Sequence, residues 1–495
     1  MKRWTWMVVL LMAGTGGCVN KQDASSSAVR ILNAVPDGSR MSLIVNGATR
    51  ASGYDYGSGT PWVVQAAGQT AVRIDEALPA DASPAYRTLH DASHSFAVND
   101  ELTLVVLGQA AGQAEEVVQI ATRTRGVPTG KTRLQFINAS SAVGPVDVYL
   151  LAPGTLANPG TQLTAGLAYK AYTSEVEVTG GNNQIVVTEA GQPQTVLLDS
   201  GQLYLPLEGA WTVAIIANPG VDSATRRINL VVLSGSGSAL ILDKAAKAQA
   251  RFVNASPGSY AIDSFINALS VDGTARQACD PLTTETDTVL EECAQPYGFV
   301  GAFHGIAPGA YGIKTQKAAD AGVSARTLSG TLAAGVASTM VIDGLVADTD
   351  TTTTTGMQTL LGTRRMATAA QLRVVDFSLA ASATLEGDPA TDRLELYITP
   401  PCAALDDEEP DFYNLVLGSD IGYRQLVPGD YQVVLARGDT AATAGPPVVL
   451  LSKRMTLAAG GIYTELITDS LGGVLPVGFL SVDDDPGLQD CPAPP

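Results

Sequence analysis

The chain has 495 residues, of which 45% are hydrophobic, 16% are charged and 6% are aromatic, and its formal net charge is −19. The hydrophobic content is sufficient for packed cores, and the length exceeds that of one ordinary domain. A strongly acidic chain is repelled by nucleic-acid phosphates and by anionic lipid headgroups. The composition therefore argues against nucleic acid as a partner and against charge as the means of membrane attachment.

The first seventeen residues predict a signal peptide. Lys2 and Arg3 form a positive region, and the apolar region that follows, Trp4 to Ala13, is too short to span a bilayer. The next residues are Gly14-Thr15-Gly16-Gly17-Cys18, which resemble the site where a bacterial lipoprotein is cleaved and acylated on cysteine, although Thr15 stands where Leu is usual. The resemblance implies a lipid on Cys18. The alternative is a soluble secreted protein cut near Ala13.

Residues 18–27 are expected to form a polar, lipid-anchored tether. Residue 19 is Val and not Asp, which under the usual lipoprotein sorting rule implies the outer membrane, on its periplasmic face or at the cell surface. Removing Lys2 and Arg3 with the signal peptide brings the net charge to about −21. We expect the membrane as a partner through the lipid and no nucleic acid, while a protein or glycan partner is not identified.

A short segment occurs four times in the chain, as VRILNAVP from residue 29, TRLQFINAS from 132, ARFVNASP from 250 and LRVVDFS from 372. We call its Asn or Asp the marker, and the four markers are Asn33, Asn138, Asn254 and Asp376. Their spacings are 105, 116 and 122 residues. A period of this length is too long for a solenoid unit and suits a tandem array of small domains.

After each marker the chain alternates short β-branched or aromatic runs with Gly, Pro, Asn and Asp. Alternating strands come first, such as 41–47 and 394–398, and a Tyr-Gly stretch and a Gly-centred turn follow. A further strand, such as 102–108 or 463–467, is expected to close each copy. No long window beyond the N-terminus has apolar residues at helical spacing. The pattern predicts an all-β chain of tandem β-sandwich domains.

This order of features resembles domain-of-unknown-function family 4397, whose units open with Arg-hydrophobic-hydrophobic-Asn/His-Ala-Ser-Pro. The segments that carry the resemblance are Arg30–Ala34, Arg133–Ser140 and Arg251–Pro257. The second copy has two extra residues between Arg and Asn, and the fourth copy has Asp376 and lacks Ala-Ser-Pro. The resemblance implies immunoglobulin-like sandwiches in an extracytoplasmic setting. It implies no reaction, because the family has no agreed activity.

The predicted organisation has seven parts. They are a signal peptide at 1–17, the tether at 18–27, repeat 1 at 28–127, repeat 2 at 131–247, repeat 3 at 248–348, a Thr-rich linker at 349–368, and repeat 4 with an acidic tail at 369–495.

Five cysteines are present, and after Cys18 is assigned to the lipid the remaining four are Cys279, Cys293, Cys402 and Cys491. An even number in an oxidising compartment favours disulfides. Four cysteines allow three pairings. We prefer Cys279 with Cys293, which bracket one insertion, and Cys402 with Cys491, which would attach the tail. No Cys-x-x-Cys motif or nearby histidine favours a metal site instead.

Few residues suggest catalysis or metal binding. His90 and His94 are four residues apart, but we expect them in a loop that enters a strand, and no Glu takes the zinc-protease position. We expect His304 to be structural. Residues 126–132 resemble a phosphate loop that is one residue short and is followed by a strand, and no Gly-x-Ser-x-Gly elbow is present. The sequence therefore predicts no catalytic residues, no cofactor and no dedicated metal site.

Two further groups of polar residues have structural interpretations. The marker Asn, with the Ser that follows it in two copies, is expected to cap the backbone after the first strand. The acidic clusters at 406–411 and 483–485 are expected in solvated loops, with weak calcium binding as the alternative.

Three classes of function fit these features. The favoured hypothesis is a non-catalytic cell-envelope lipoprotein that acts as a surface structural, adhesive or interaction module, and an elongated rod is the shape expected of it. The alternative is a glycan-binding or envelope-polymer-binding protein, although Trp62 and Trp211 are expected in cores. An enzyme has the least support, because no catalytic constellation is found.

Overall fold

The computed structural model describes residues 26–158, 160–257, 261–268, 289–318, 320–343, 356–378, 380–381, 392–405, 408–439, 447–469 and 477–484. Cys18, Cys279 and Cys491 lie outside these ranges, as does the signal peptide. The described chain is built mainly from strands, and a 3₁₀ turn lies at Ala111–Gln113. No helix among the described residues is long and apolar enough to cross a membrane. The predicted all-β class is confirmed.

The strands form four units, which follow the four markers. Unit 1 contains β1 (Ser26–Ala34), β2 (Met41–Val45), β3 (Ala48–Tyr54), β4 (Ser58–Gly59), β5 (Val63–Ala66), β6 (Gly68–Ala77), β7 (Tyr86–Phe96), β8 (Glu101–Leu107) and β9 (Glu116–Thr122). Unit 2 contains β10 (Lys131–Asn138), β11 (Val146–Leu151), β12 (Thr164–Leu167), β13 (Val176–Thr179), β14 (Gly181–Glu189), β15 (Gln192–Leu205), β16 (Glu208–Ala217), β17 (Ile228–Leu233) and β18 (Ser238–Ile241).

The other two units have eight strands each. Unit 3 contains β19 (Ala248–Asn254), β20 (Ile262–Ala268), β21 (Val289–Gln295), β22 (His304–Ile306), β23 (Gly309–Lys317), β24 (Asp320–Leu332), β25 (Ala337–Asp343) and β26 (Gly356–Leu361). Unit 4 contains β27 (Ala370–Asp376), β28 (Asp392–Thr399), β29 (Phe412–Tyr413), β30 (Arg424–Leu426), β31 (Gly429–Asp439), β32 (Val448–Leu457), β33 (Ile462–Asp469) and β34 (Val477–Ser481).

Each unit is a sandwich of two sheets, and the central strands of the sheets have the same order in all four units. One sheet, which we call the marker sheet, has the marker strand at its centre (β1, β10, β19 or β27), and the marker strand pairs in parallel with β8, β16, β25 or β33. The next strand beyond that parallel strand, which we call the outer strand, is β9, β17, β26 or β34, and in unit 2 a further strand, β18, pairs with β17 at the edge. The second sheet is antiparallel, as in β3-β2-β6-β7 of unit 1. The predicted tandem sandwiches are therefore confirmed.

The marker strands are buried on both faces. In β1, Val29 and Ile31 point into the core of unit 1, while Leu32 and Ala34 point to the other side of the sheet. Side chains that alternate along a strand reach opposite faces, so a strand buried on both faces needs a cover on each side. One cover is the second sheet of the same unit.

The second cover is the marker sheet of a neighbouring unit. Unit 1 packs against unit 2 through one apolar cluster, composed of Leu32, Ala34, Val105, Leu107, Ile120, Ile137, Ala139, Ala214, Ile216, Val231 and Leu233. Unit 3 packs against unit 4 through another, composed of Val253, Ala255, Val341, Leu360, Val375, Phe377, Leu466 and Val482. We call these two assemblies pair 1–2 and pair 3–4.

The two pairs also contact each other through the segment that joins units 3 and 4. The backbone N–H of Ala367 donates to the carbonyl of Asp37 in unit 1 at 2.8 Å. Arg364 donates to the carbonyl of Pro36 at 3.1 Å and forms an ion pair with Asp55. These units are not separate beads, and the elongated rod expected from the sequence does not match their packing.

Several expectations about boundaries and local structure need correction. Strand β1 begins at Ser26, inside the segment expected to be tether, because Ser26 and Ser27 pair with β5. Strand β26 occupies 356–361 of the expected linker, because it completes the marker sheet of unit 3 beside β25. His90 and His94 lie within β7, where they pair with β6, and not in a loop. Strand β8 does not close unit 1, since β9 follows it.

Candidate functional site

The most regular polar feature of the molecule is a set of arginines that cross between paired units. Each of the four arginines of the repeated segment donates from Nη1 to a backbone carbonyl of the partner unit. The bonds are Arg30 to Ser234 at 2.7 Å, Arg133 to Arg123 and Arg125 at 2.9 Å each, Arg251 to Val482 at 3.3 Å, and Arg373 to Leu361 at 2.9 Å. The contact therefore occurs twice in each pair, once in each direction.

The acceptor carbonyls have equivalent positions in the fold. Leu361 is the last residue of its outer strand, and Arg123, Ser234 and Val482 each come directly after the equivalent strand. In unit 2, the residue three before the marker is Gln135, whose Nε2 bonds the carbonyl of Ala121 at 3.3 Å. Arg133 stands five residues before its marker, whereas the other three arginines stand three residues before theirs. A shift of two residues keeps the side chain on the same face of the strand.

Arg30 is the most buried of these arginines, with 1% of its surface exposed. Its Nε donates to Thr103 and its Nη2 to Thr212, both at 2.9 Å, and the Trp62 ring lies 4.1 Å from the guanidinium carbon. No carboxylate pairs with it among the described residues. Burial lowers the pKa of Arg30 to about 9, so the side chain is still charged at neutral pH. Hydrogen bonds and the aromatic face hold the guanidinium in place of a direct ion pair, and the charge of Glu101 opposes the effect of burial on its pKa.

Arg251 makes the equivalent contacts at pair 3–4 and adds an ion pair. Its Nε donates to Thr339 at 2.9 Å, as that of Arg30 does to Thr103, and its guanidinium lies 4.3 Å from the Phe303 ring. Its Nη2 pairs with Asp483, which also accepts from Thr464 at 2.6 Å. The repeated geometry shows that the arginine belongs to the interface and not to a separate ligand site.

The marker asparagines close a turn at the end of each marker strand. Their Oδ1 accepts from the backbone N–H two residues later, at 3.1 Å in Asn33, 3.1 Å in Asn138 and 3.0 Å in Asn254. Their Nδ2 donates to the carbonyl of the last residue of a strand in the second sheet, which is Tyr54 of β3, Leu167 of β12 or Gln295 of β21, at 3.0–3.2 Å. The capping role expected from the sequence is confirmed for these three markers.

The fourth marker satisfies only half of this pattern. Oδ1 of Asp376 accepts from Ser378 at 2.9 Å, but Oδ2 has no hydrogen-bond partner among the described residues. Asp376 is fully buried. Burial raises its pKa to about 6.

A cleft of about 640 Å³ lies where all four units meet. Its charged side chains are largely paired: Arg365 with Asp484, Arg373 with Asp420, and Arg251 with Asp483. The hydrogen bond from Arg365 lowers the pKa of Asp484. Because carboxylates neutralise its arginines, the cleft offers little net positive charge to an anion. Its lining includes Pro36, Asp37, Pro219, Val221, Phe303, Thr339, Thr363, Arg364 and Tyr423.

The acidic clusters are partly explained by these pairs. Asp411 pairs with Arg424 and accepts from the backbone of Ile398 at 2.6 Å. Asp483 and Asp484 pair with arginines, as described above. No group of three His, Cys, Asp or Glu that could hold a metal ion occurs among the described residues. Asp406, Asp407 and Asp485 lie outside the described ranges.

A second cleft, of about 710 Å³, lies between units 1 and 2. Tyr172 is 48% exposed at this cleft. Polar side chains surround it, including Asn99, Asp100, Glu101, Gln119, Arg123 and Glu175. An exposed ring beside amide and carboxylate groups is the kind of surface that binds polar ligands with an apolar face.

The remaining candidates do not assemble into a catalytic group. Nε2 of His90 and Nε2 of His94 are 3.1 Å apart, and burial lowers the pKa of both rings. His304 faces Glu292 at 3.3 Å. Residues 126–130 form a loop, and Lys131 begins β10, so a strand follows the apparent phosphate loop as expected.

Cys293 lies in β21 and Cys402 in the turn after β28. Their predicted partners, Cys279 and Cys491, lie outside the described residues, and both pairings stay predictions, as does the lipid on Cys18.

Residues 27–149 match the family model described as "Domain of unknown function (DUF4397)". The resemblance expected from the sequence is confirmed over this range, which covers unit 1 and the start of unit 2. No curated protein matches the chain. Among solved structures, the major pilin subunit of Bacillus cereus is 8% identical, with 69% of this chain and 100% of that chain covered and a TM-score of 0.14. A TM-score this low supports no conclusion about this protein.

The interface role of the arginines was not predicted, although a signal was present. An arginine stands in every copy of an otherwise apolar strand, and a charge at a buried position needs fixed partners. The tyrosines of the Tyr-Gly stretches were also missed. Tyr56 donates to Ala217 across pair 1–2, and the Tyr297 hydroxyl lies 3.2 Å from the carbonyl of Asp469 across pair 3–4.

We predict that Arg251→Met lowers the free energy of unfolding by about 1.5–3 kcal/mol, because it removes charged hydrogen bonds and leaves Asp483 without its guanidinium. Arg251→Lys should recover only part of this loss, since an ammonium lacks the planar fork. Urea denaturation measures both. The control is Arg50→Met, because Arg50 is exposed on β3 and lies outside both interfaces. Equal stability of the Arg251 and Arg50 variants would contradict the interface role.

Proposed function

We propose that the protein is a non-catalytic structural and interaction module of the cell envelope, attached to the outer membrane by a lipid on Cys18. The all-β units, the family match over residues 27–149 and the lipoprotein-like N-terminus support this proposal. The tether would hold pair 1–2 close to the membrane, and the packed units would present their outer sheets to a partner.

The observation that carries the proposal is that polar side chains form hydrogen bonds and ion pairs across the interfaces between units. The arginines, tyrosines and acidic residues that a reaction would need are engaged across the interfaces, as in Arg30, Tyr56 and Asp483. Side chains committed to fixed partners stabilise a shape more readily than they perform acid–base chemistry. A rigid scaffold with varied outer surfaces is suited to interaction.

The anchor is tested by replacing the acylated residue. The wild-type protein should stay with the membrane in high salt and be released by detergent, because each buried methylene of a lipid contributes about 0.8 kcal/mol. The Cys18→Ala variant should fail to incorporate labelled palmitate. Thr15→Leu, which restores the usual residue, should behave as wild type. Release of the wild-type protein by salt alone would contradict the anchor.

A second candidate function is glycan binding, and the cleft beside Tyr172 favours it. Sugars present both hydroxyl groups and apolar faces, and an exposed ring with surrounding amides and carboxylates is complementary to them. The ligand would be an envelope polymer within reach of the tether.

Co-sedimentation with isolated peptidoglycan sacculi, and binding to purified envelope polysaccharide, test this candidate. Tyr172→Ala should weaken binding about tenfold if the ring is an anchor. The matched control is Tyr204→Ala, because Tyr204 is 60% exposed on β15, away from the cleft. Absence of binding by the wild type, or equal binding by both variants, would exclude this cleft as the glycan site.

A further inference from the structure

Asp376 occupies a position that three other copies of the same turn fill with asparagine. In those copies the side chain both accepts and donates, and the donated bond holds the carbonyl at the end of a strand of the second sheet against the end of the marker strand. An ionised aspartate accepts hydrogen bonds but donates none. When Asp376 is ionised, the fourth copy therefore keeps the turn but lacks the donated bond.

Comparison of the four units identifies the carbonyl in unit 4 that is equivalent to the acceptors of the three marker asparagines. In each unit the carbonyl of the marker accepts from a backbone N–H, that of Gly57, Lys170, Gly298 or Gly418. The carbonyl bonded by Nδ2 belongs to the residue three positions earlier, which is Tyr54, Leu167 or Gln295 in the first three units. The same offset gives Leu415 in unit 4, a buried residue of that unit's core.

We propose that Asp376 is a proton-dependent latch, which holds the loop around Leu415 to the marker strand of unit 4 when its carboxyl is protonated and releases it when the carboxyl is ionised. The protonated carboxyl supplies the O–H donor that replaces the amide of the other markers. The ionised form leaves a buried negative charge without that bond, which is costly.

The surroundings of Asp376 favour the proton. Asp469 on β33 is also buried, and its Oδ1 accepts from the hydroxyl of Ser378 and from the backbone N–H of Ala380 at 2.9 Å. Asp420, in the loop that follows Leu415, is paired with Arg373. No lysine or arginine of the described residues bonds Asp376 or Asp469, so no positive partner favours ionisation.

The latch lies beside the interface of pair 3–4. Its strand neighbours Val375 and Phe377 pack against unit 3. From unit 3, the hydroxyl of Tyr297 lies 2.7 Å from that of Thr468 and 3.2 Å from the carbonyl of Asp469. Release of the loop would therefore loosen the attachment of unit 4 to unit 3 as well.

The direction of the pH effect follows from the raised pKa. The pKa of Asp376 rises from 3.8 to about 6 on folding, so the folded protein binds this proton more tightly than the unfolded chain. The stabilisation is complete below about pH 4, decreases as the pH rises, and is lost above about pH 6. A difference of about two pH units corresponds to about 100-fold in the folding equilibrium.

The test compares the wild-type chain with Asp376→Asn by urea denaturation between about pH 3, below the unfolded-state pKa of the carboxyl, and about pH 8. The amide donates at every pH, so the ratio of the two folding constants should be near one at the acid end and rise to about 100 at the alkaline end. Hydrogen exchange in residues 412–420, corrected for its intrinsic pH dependence, should be slower in Asp376→Asn above pH 6 and equal at the acid end. A ratio that does not change with pH would overturn the proposal.

The reciprocal variant tests the same idea in unit 3. Asn254→Asp places a carboxyl at the matching buried turn and should introduce a pH dependence of the same sign. If Asn254→Asp lowers stability equally at all pH values, the latch mechanism is wrong. Sensitivity of the wild type to calcium chelation in place of pH would also overturn it, because a bound cation and not a proton would then occupy the site.

Discussion

The architecture depends on four marker strands that are apolar on both faces. A sandwich covers only one face of each sheet, so a marker sheet on its own would leave Leu32 and Ala34, or Val375 and Phe377, in water. Packing two marker sheets face to face removes this surface from solvent. Burial of apolar area contributes about 25 cal/mol per Å², so this packing favours the unit pair over two separate units.

The arginines supply hydrogen-bond donors to backbone carbonyls that become buried when two marker sheets pack together. The chain that leaves each outer strand places backbone carbonyls at the margin of the partner's sheet, where buried carbonyls need donors. A guanidinium reaches them from the partner and stays fixed by a threonine and an aromatic ring, as at Arg30 and Arg251. The interface is therefore both apolar and directional, which fixes how two units align.

Much of the fold could be predicted from the sequence, because strand alternation and turn residues are local signals. The four markers gave the number of units, and alternation within segments such as 41–47 gave the strands. The pairing of units could not be predicted in this way. A strand buried on one face and a strand buried on both faces differ in sequence only in whether the residues of the second face are apolar. The sheet that covers this second face belongs to another unit, which is distant in the sequence.

The polar contacts were predictable only where they are local. The turn formed by Asn138 and Ser140 spans two residues and could be anticipated. The bond from Arg30 to Ser234 spans more than 200 residues, and no local rule identifies its acceptor. The sequence shows that Asp376 replaces the Asn of the other markers, but the burial of Asp376 and the missing partner of its Oδ2 depend on the fold. Turn-forming residues around His90 and His94 favour a loop in the sequence, whereas pairing with β6 keeps both residues in a strand.

The most direct test of the paired architecture is small-angle X-ray scattering on the unlipidated mature chain, begun before Ser26 so that β1 is intact. A compact chain of this length should have a radius of gyration of about 23 Å, slightly increased by the tether and the tail. Four separate units in a row, each with a radius of gyration of about 13 Å, would give roughly 40 Å. The compact value would support face-to-face packing of the marker sheets, and the extended value would contradict it.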